Sequence, residues 1–131
     1  MYKGEILNSQ LLRIMAETGH TDTICVCDAG LPVPKGVERV DLAWKKNEPG
    51  WLEVCKIIYK SMTIEKIYLA EEMAEKNPAM YEKFKVCFQN TEIKLIPHEK
   101  LKKDSGNCRA IVRTGEFSSF CNCIFVSSVN F

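Results

Sequence analysis

The side chains best suited to acid–base chemistry are two histidines, the only ones among 131 residues. His20 follows Gly19 and His98 follows Pro97, so each lies at a predicted boundary between elements, from which a side chain can reach a cleft. Because imidazole titrates near neutral pH, it can both donate and accept a proton during a reaction. Structural roles compete with this interpretation, since an imidazolium at position 20 would stabilise a helix C-terminus and His98 lies at a helix start.

Asp28 is a third candidate because of the segment that precedes it. Residues 23–27 are β-branched and cysteine-rich, which predicts a strand covered on both faces and puts Asp28 at its carboxyl end. Open α/β sheets commonly bind ligands at this end. Turn formation is the competing explanation, because an aspartate readily bonds its own backbone.

Seven cysteines could in principle supply metal ligands or a nucleophile. Cys25 with Cys27, and Cys121 with Cys123, are spaced two apart, whereas structural zinc sites prefer two to four intervening residues. We therefore predict small core side chains and no metal site. A thiol nucleophile at Cys27 is disfavoured because a buried strand thiol without a lowered pKa is inert. An odd cysteine count without a secretory signal predicts free thiols and a cytoplasmic protein.

The elements that must position these residues alternate between helices and strands. A first helix is predicted to be capped by Asn8 or Ser9 and to end at Gly19, and further helices are predicted over 51–60, from Pro78 onward and just after His98. Apolar faces are expected at Leu7, Leu11, Ile14, Met15, Met80, Phe84, Val86 and Phe88. Strands are predicted over 23–27, 37–43, 64–70, 91–96, 108–113 and 122–129. This alternation predicts a single α/β domain over residues 1–131, in three α/β/α layers around a mixed, largely parallel sheet.

Charge and hydropathy exclude several classes of partner. Lys and Arg number 18 against 17 for Asp and Glu, and even the most basic stretch, 98–103, contains a glutamate. Nucleic-acid binding needs a clustered basic face, so we expect none. The glycines form no nucleotide-binding motif. No apolar run is long enough to span a bilayer, and the first residues lack a signal-peptide core, so we expect no membrane association.

The segment HTDTICVCDAGLPVP, residues 20–34, resembles the signature of the D-ribose pyranase and fucose mutarotase family. Its Gly-Leu-Pro-Val-Pro ending is closer to the ribose branch. The resemblance extends along the chain through K-G-x-x-L-N-S from Lys3, Ala-Glu-Glu at 70–72, His98 and Arg-Thr-Gly-Glu at 113–116.

This resemblance implies a cofactor-independent isomerase of free sugars, with D-ribose favoured and its pyranose and furanose forms interconverted. It implies that His20 is the proton donor. The sugar contacts that it implies come from Asp28, His98, Phe120, Cys121 and Asn122. It also implies a homo-oligomer, a decamer of two pentameric rings, whose sites form between neighbouring subunits.

The chemistry of ring opening suggests how these groups would act. We expect His20 to protonate the ring oxygen, while Asp28 orients the imidazole or holds a sugar hydroxyl and Asn122 fixes a hydroxyl. The three side chains should therefore converge on one cavity that admits a monosaccharide.

One segment departs from the family pattern. Residues 119–122 read Ser-Phe-Cys-Asn, where the family usually has Pro-Tyr-Ala-Asn. A ring at Phe120 can still pack on a sugar, but it has no hydroxyl, so that group is dispensable, activity is reduced or the preferred sugar differs. Two alternatives stay open: a mutarotase acting on fucose or another aldose, and a non-catalytic sugar-binding module of an uptake system.

Overall fold

A six-stranded mixed sheet forms the centre of the chain, all of whose residues, 1–131, are described in this computed structural model. Its strands are β1 (Thr23–Cys27), β2 (Glu38–Asp41), β3 (Ile64–Ala70), β4 (Glu92–Ile96), β5 (Ala110–Arg113) and β6 (Cys123–Ser127). They are ordered β2-β5-β1-β6-β3-β4. The pairs β1–β5, β2–β5 and β3–β4 are parallel, and only β6 runs antiparallel to its neighbours β1 and β3. The predicted mixed, largely parallel sheet is confirmed.

Five helices cover the two faces of this sheet. They are α1 (Ser9–Glu17), α2 (Trp51–Ser61), α3 (Glu71–Lys76), α4 (Pro78–Cys87) and α5 (His98–Ser105). The larger core joins one face to α1, α2, α3 and α4, and a smaller core joins the other face to α5. The predicted three-layer arrangement is therefore confirmed, with unequal outer layers. None of the helices combines the length and the apolar character needed to cross a membrane.

Strand β1 lies in the middle of the sheet and is covered on both faces, as predicted. Ile24 and Val26 belong to the larger core, whereas Cys25 and Cys27 pack in the smaller core with Leu101 of α5. This alternation follows from the pleat, which points successive side chains to opposite faces. Because β5 and β6 pair with its two edges, β1 holds the loops at its two ends at a fixed distance from each other.

Two apolar residues expected to face the core are exposed instead. Leu7 precedes α1 and is 74% exposed, while the neighbouring Ile6 is buried. Val86 is 69% exposed because α4 turns Phe84, and the following Phe88, towards the sheet. The predictions for these two positions were wrong.

Several element boundaries also differ from the predicted ones. The strands predicted over 37–43, 108–113 and 122–129 are shorter, because pairing with their neighbours ends at β2, β5 and β6 as given above. Helix α3 was not predicted, since six residues are too few to show a helical repeat of apolar positions.

An aromatic cluster fixes α2 and α4 against the sheet. The Trp51 ring stacks on the Phe84 ring with centroids 4.9 Å apart and an interplanar angle of 16°. The Trp51 indole N–H donates to the carbonyl of Val26 in β1 at 3.0 Å. Trp51 and Phe84 are fully buried, so this contact links two helices and the central strand.

We expect Phe84→Ala to lower the free energy of unfolding by about 3–5 kcal/mol, because it leaves a cavity beside Trp51. The matched control is Val86→Ala on the same helix, for which a change within about 0.5 kcal/mol is expected because the side chain is exposed. Urea denaturation followed by tryptophan fluorescence measures both. Equal losses in the two variants would contradict the assignment of the α4 faces.

Candidate functional site

Asp28 and Asn122 form a reciprocal hydrogen-bonded pair at the carboxyl end of β1. The Asp28 backbone N–H donates to Asn122 Oδ1 at 3.0 Å, and Asn122 Nδ2 donates to Asp28 Oδ2 at 3.0 Å. Asn122 is 1% exposed, so its amide is held in one orientation. The pair joins the end of β1 to the start of β6, as expected if both residues belong to one site.

The second carboxylate oxygen of Asp28 is occupied by its own turn. Oδ1 accepts the backbone N–H groups of Gly30 at 2.9 Å and Leu31 at 3.0 Å. Turn formation, the competing explanation for this residue, therefore occurs together with the contact to Asn122. Oδ2 has one donor and keeps an acceptor position free, and Asn122 Nδ2 keeps one N–H free.

His98 and Phe120 lie against each other where α5 begins. Their ring centroids are 5.0 Å apart and their planes meet at 88°, an edge-to-face contact. The His98 backbone N–H donates to Glu72 Oε2 at 2.8 Å, which anchors the start of α5 to α3. The His98 side-chain atom Nδ1 is buried without a hydrogen-bond partner. A buried polar atom of this kind is costly unless something bonds to it, so it marks a place for a ligand group.

The backbone at Phe120 is bent to present the site residues that follow it. Phe120 has a φ of 60°, in the left-handed region, and its carbonyl accepts the N–H of Asn122 at 2.9 Å. A non-glycine residue in that region is uncommon and is retained where its surroundings hold it. The turn directs Asn122 towards Asp28.

Cys121 lies within this turn and is buried. Its Sγ is 3.2 Å from Ser118 Oγ and 3.5 Å from Asn77 Nδ2. Burial raises the pKa of the Cys121 thiol to about 12, and burial beside Asp28 also raises the pKa of Cys27 to about 12. Both thiols are therefore protonated near neutral pH and unsuited to nucleophilic attack. No group of three or more His, Cys, Asp or Glu side chains is arranged to hold a metal ion.

An open cleft of about 310 Å³ lies beside Asp28. Its lining includes Asp28, Gly30, Arg113, Glu116, Phe117 and Ser119. The volume falls at the lower end of the range for small-molecule sites. A larger groove of about 680 Å³ runs along α2 beside Leu7 and Leu42, but it contains none of the candidate residues. We assign the site to the smaller cleft, because Asp28, whose carboxylate is fixed by hydrogen bonds, lines it.

Glu116 holds the loop that forms one wall of this cleft. Its Oε2 accepts the backbone N–H of Trp51 at 3.1 Å, at the start of α2, and its Oε1 accepts the Ser118 hydroxyl at 2.7 Å. Gly50, the N-cap of α2, has no side chain with which to cap that helix. Glu116 and Glu72 were not identified as site residues from the sequence, although both belong to motifs noted there, at 113–116 and 70–72.

His20 lies at the opposite end of the sheet from Asp28. The two are separated by the five residues of β1, which span roughly 17 Å of strand. The His20 side chain is 51% exposed, and its Nε2 is 3.3 Å from Glu65 Oε2. One chain therefore brings together Asp28, His98, Phe120, Cys121 and Asn122 but leaves His20 apart. The expectation that Asp28 orients the His20 imidazole is wrong within a single chain, because β1 intervenes.

Comparison with known proteins gives a consistent picture. Residues 1–130 match the RbsD / FucU transport protein family. The chain is 44% identical, over all 131 residues of both, to a D-ribose pyranase of Bacillus licheniformis. The solved structure of Bacillus subtilis RbsD complexed with D-ribose has a TM-score of 0.96 at 38% identity, and all of both chains is covered.

A more distant solved structure shares the fold alone. The fucose mutarotase from Streptococcus pneumoniae, in complex with L-fucose, has a TM-score of 0.73 at 21% identity. The similarity covers 95% of this chain and 94% of that one.

We expect Asn122→Asp to lower the free energy of unfolding by about 1–3 kcal/mol at pH 7, because it replaces a donor to Asp28 with a like charge. Asn90→Asp, in an exposed turn, is the control and should change stability little. Thermal unfolding tests this, and equal effects of the two substitutions would count against the Asp28–Asn122 pair.

Proposed function

This chain belongs to the RbsD / FucU transport protein family, and from that premise we propose that it interconverts the pyranose and furanose forms of D-ribose. The full-length similarity to curated D-ribose pyranases supports this activity. The relative with D-ribose bound supports ribose as the substrate. We place the reaction in the cytoplasm, in line with seven free cysteines.

The reaction needs only proton transfers. To open the pyranose ring, the anomeric hydroxyl loses its proton while the ring oxygen gains one and the bond between C1 and that oxygen breaks. The aldehyde then rotates and recloses through a different hydroxyl. A positioned acid and base supply about 10²- to 10⁴-fold acceleration, so the proposal includes no cofactor.

We propose that His20 of one copy donates the proton to the ring oxygen. A second copy of the chain supplies the pocket at Asp28 and Asn122. His20 is half exposed at one end of β1, whereas Asp28 lines a cleft at the other end and is hydrogen-bonded there to the buried Asn122. A site that contains all three groups therefore requires two copies in contact. This separation is the observation that carries the proposal. A decamer of two pentameric rings, as the resemblance implies, is part of it.

The pocket groups have complementary roles in this proposal. Asp28 Oδ2, which keeps an acceptor position free, takes the proton of the anomeric hydroxyl. Reclosure returns that proton, so the proton count balances over one turnover. Asn122 holds Asp28 in place and has one N–H left for a sugar hydroxyl. His98 Nδ1 bonds a further hydroxyl, and the Phe120 ring packs against the apolar face of the sugar.

A mutarotase acting on fucose or another aldose is the second candidate. It is favoured by Phe120, since the loss of a phenol alters the sugar contacts. A sugar-binding module without catalysis is a third, and it would bind ribose without changing the exchange between its ring forms.

We expect His20→Ala and Asp28→Asn each to reduce ribose ring exchange, measured by NMR magnetisation transfer, to the uncatalysed rate. Co-expression of the two variants should restore about a quarter of the wild-type rate, because random assembly combines an intact His20 with an intact Asp28 at that fraction of shared sites. Size-exclusion chromatography checks that each variant still assembles. Full activity of His20→Ala alone would refute its role, and no recovery in the mixture would refute a site shared between copies.

We expect Phe120→Tyr to raise turnover of D-ribose roughly twofold to tenfold, because the new hydroxyl can bond the sugar. Phe131→Tyr, at an exposed phenylalanine that lies outside the cleft, is the control and should not change turnover. An unchanged rate in the Phe120 variant would show that the hydroxyl has no part in catalysis here.

A further inference from the structure

Glu65 lies at an irregularity in the sheet next to His20. In the antiparallel pairing of β3 with β6, Ile64 is opposite Ser127 and Lys66 is opposite Val126. Glu65 is therefore the extra residue of a β-bulge. Bulges redirect a side chain and are over-represented beside active sites, so the position is a candidate for function.

The bulge directs the Glu65 carboxylate to the His20 ring. Glu65 Oε2 is 3.3 Å from His20 Nε2, and this is the only hydrogen bond that the ring makes in the chain. Because a carboxylate only accepts, Nε2 carries the hydrogen in this contact. The other ring nitrogen, Nδ1, is left without a protein partner in the chain.

The backbone on either side of His20 is held by other contacts, and Glu65 is the carboxylate that contacts the His20 ring. Thr21 has a φ of 68°, which is rare for a β-branched residue, and its N–H donates to Ser127 at 2.9 Å. The Asp22 carboxylate accepts the Gly19 N–H at 2.8 Å and also bonds Arg109. The contact with the Gly19 N–H, and to a lesser extent the contact with Arg109, holds the pKa of the Asp22 carboxyl below its usual value. Asp22 is thus committed to the turn.

We propose that Glu65 is a positioning residue for His20: it accepts the Nε2 hydrogen and orients the ring so that Nδ1 exchanges the proton with the sugar. This inference rests on the proposed function, since it assigns a partner to the same proton donor. In the step itself, the Nδ1–H bond breaks as the bond from hydrogen to the ring oxygen forms. Glu65 gains and loses no proton.

The surroundings determine how much this contact contributes. Both side chains are about half exposed in the single chain, and an exposed pair of this kind contributes little to stability. If a second copy and a bound sugar exclude water from it, the same charges interact more strongly. The effect of Glu65 should therefore be clearest in the rate of the reaction.

The test compares Glu65→Gln with Glu92→Gln in the full-length assembled protein. Glutamine keeps the size and an acceptor oxygen but removes the charge. Glu92 is an exposed glutamate on the neighbouring strand β4, 3.8 Å from Lys66, and makes no contact with either histidine. Because the chain has only two histidines, ¹⁵N NMR reports which ring nitrogen of His20 carries the hydrogen, with His98 as an internal reference.

At low ionic strength, Glu65→Gln should lower the ratio of the Nε2–H tautomer to the Nδ1–H tautomer of His20 roughly twofold to fivefold, because the acceptor of the Nε2 hydrogen loses its charge. It should lower kcat for ribose ring exchange by a similar factor, with KM changed less than twofold. The ratio for His98, and both quantities in Glu92→Gln, should not change. Glu65→Asp, which keeps the charge, should recover part of both effects.

The outcomes separate the two proposals. Loss of kcat in Glu65→Gln with an unchanged His20 ratio would mean a merely structural role and would overturn the inference. An unchanged kcat in Glu65→Gln, together with an inactive His20→Ala, would also overturn the inference. In that case the proposed function would stand. Full activity of His20→Ala would instead remove the proposed role of His20 and the inference with it.

Discussion

Strand β1 keeps His20 and Asp28 apart at its two opposite ends, and the organisation of the candidate site depends on this spacing. The strand is paired on both sides, by β5 and β6, and covered on both faces, so neither end can bend towards the other. Each copy therefore carries the proposed proton donor at one end of β1 and the proposed sugar pocket at the other. In our proposal, an assembly in which these two ends of neighbouring copies meet completes one site at each contact.

The pocket groups are held by protein contacts before a sugar arrives. Asn122 and two backbone N–H groups fix the Asp28 carboxylate, Glu116 ties the cleft loop to α2, and Glu72 anchors the start of α5 at His98. Groups held in this way need not reorganise during the reaction, which is the usual origin of electrostatic catalysis. The thiols of Cys27 and Cys121 stay neutral because burial raises their pKa, so they pack beside the pocket without adding charge.

Much of the fold follows from local patterns, whereas the arrangement of the site depends on pairing. The short apolar segment before Asp28 correctly predicted a strand covered on both faces, and its end correctly placed Asp28 at the carboxyl end of that strand. The same prediction already implied that a residue before the strand and one after it lie far apart, so His20 could not meet Asp28 within one chain. The expected convergence of these residues on one cavity therefore stays a prediction about neighbouring copies of the chain.

Other features could not be predicted because they depend on distant parts of the chain. The bulge at Glu65 exists only in the register between β3 and β6, which the sequence of β3 does not reveal. Val86 has the hydropathy of a core residue, but the rotation of α4, set by the contact of Phe84 with Trp51, leaves it in solvent. The unpartnered nitrogen of His98 likewise becomes visible only once its neighbours are placed.

The most direct test of the account is the rate of exchange between ribopyranose and ribofuranose in the presence of the wild-type protein, measured by NMR saturation transfer. The account predicts that this rate rises in proportion to protein concentration and exceeds the acceleration for fucose at the same concentration. Binding of ribose without any acceleration of ring exchange would contradict it.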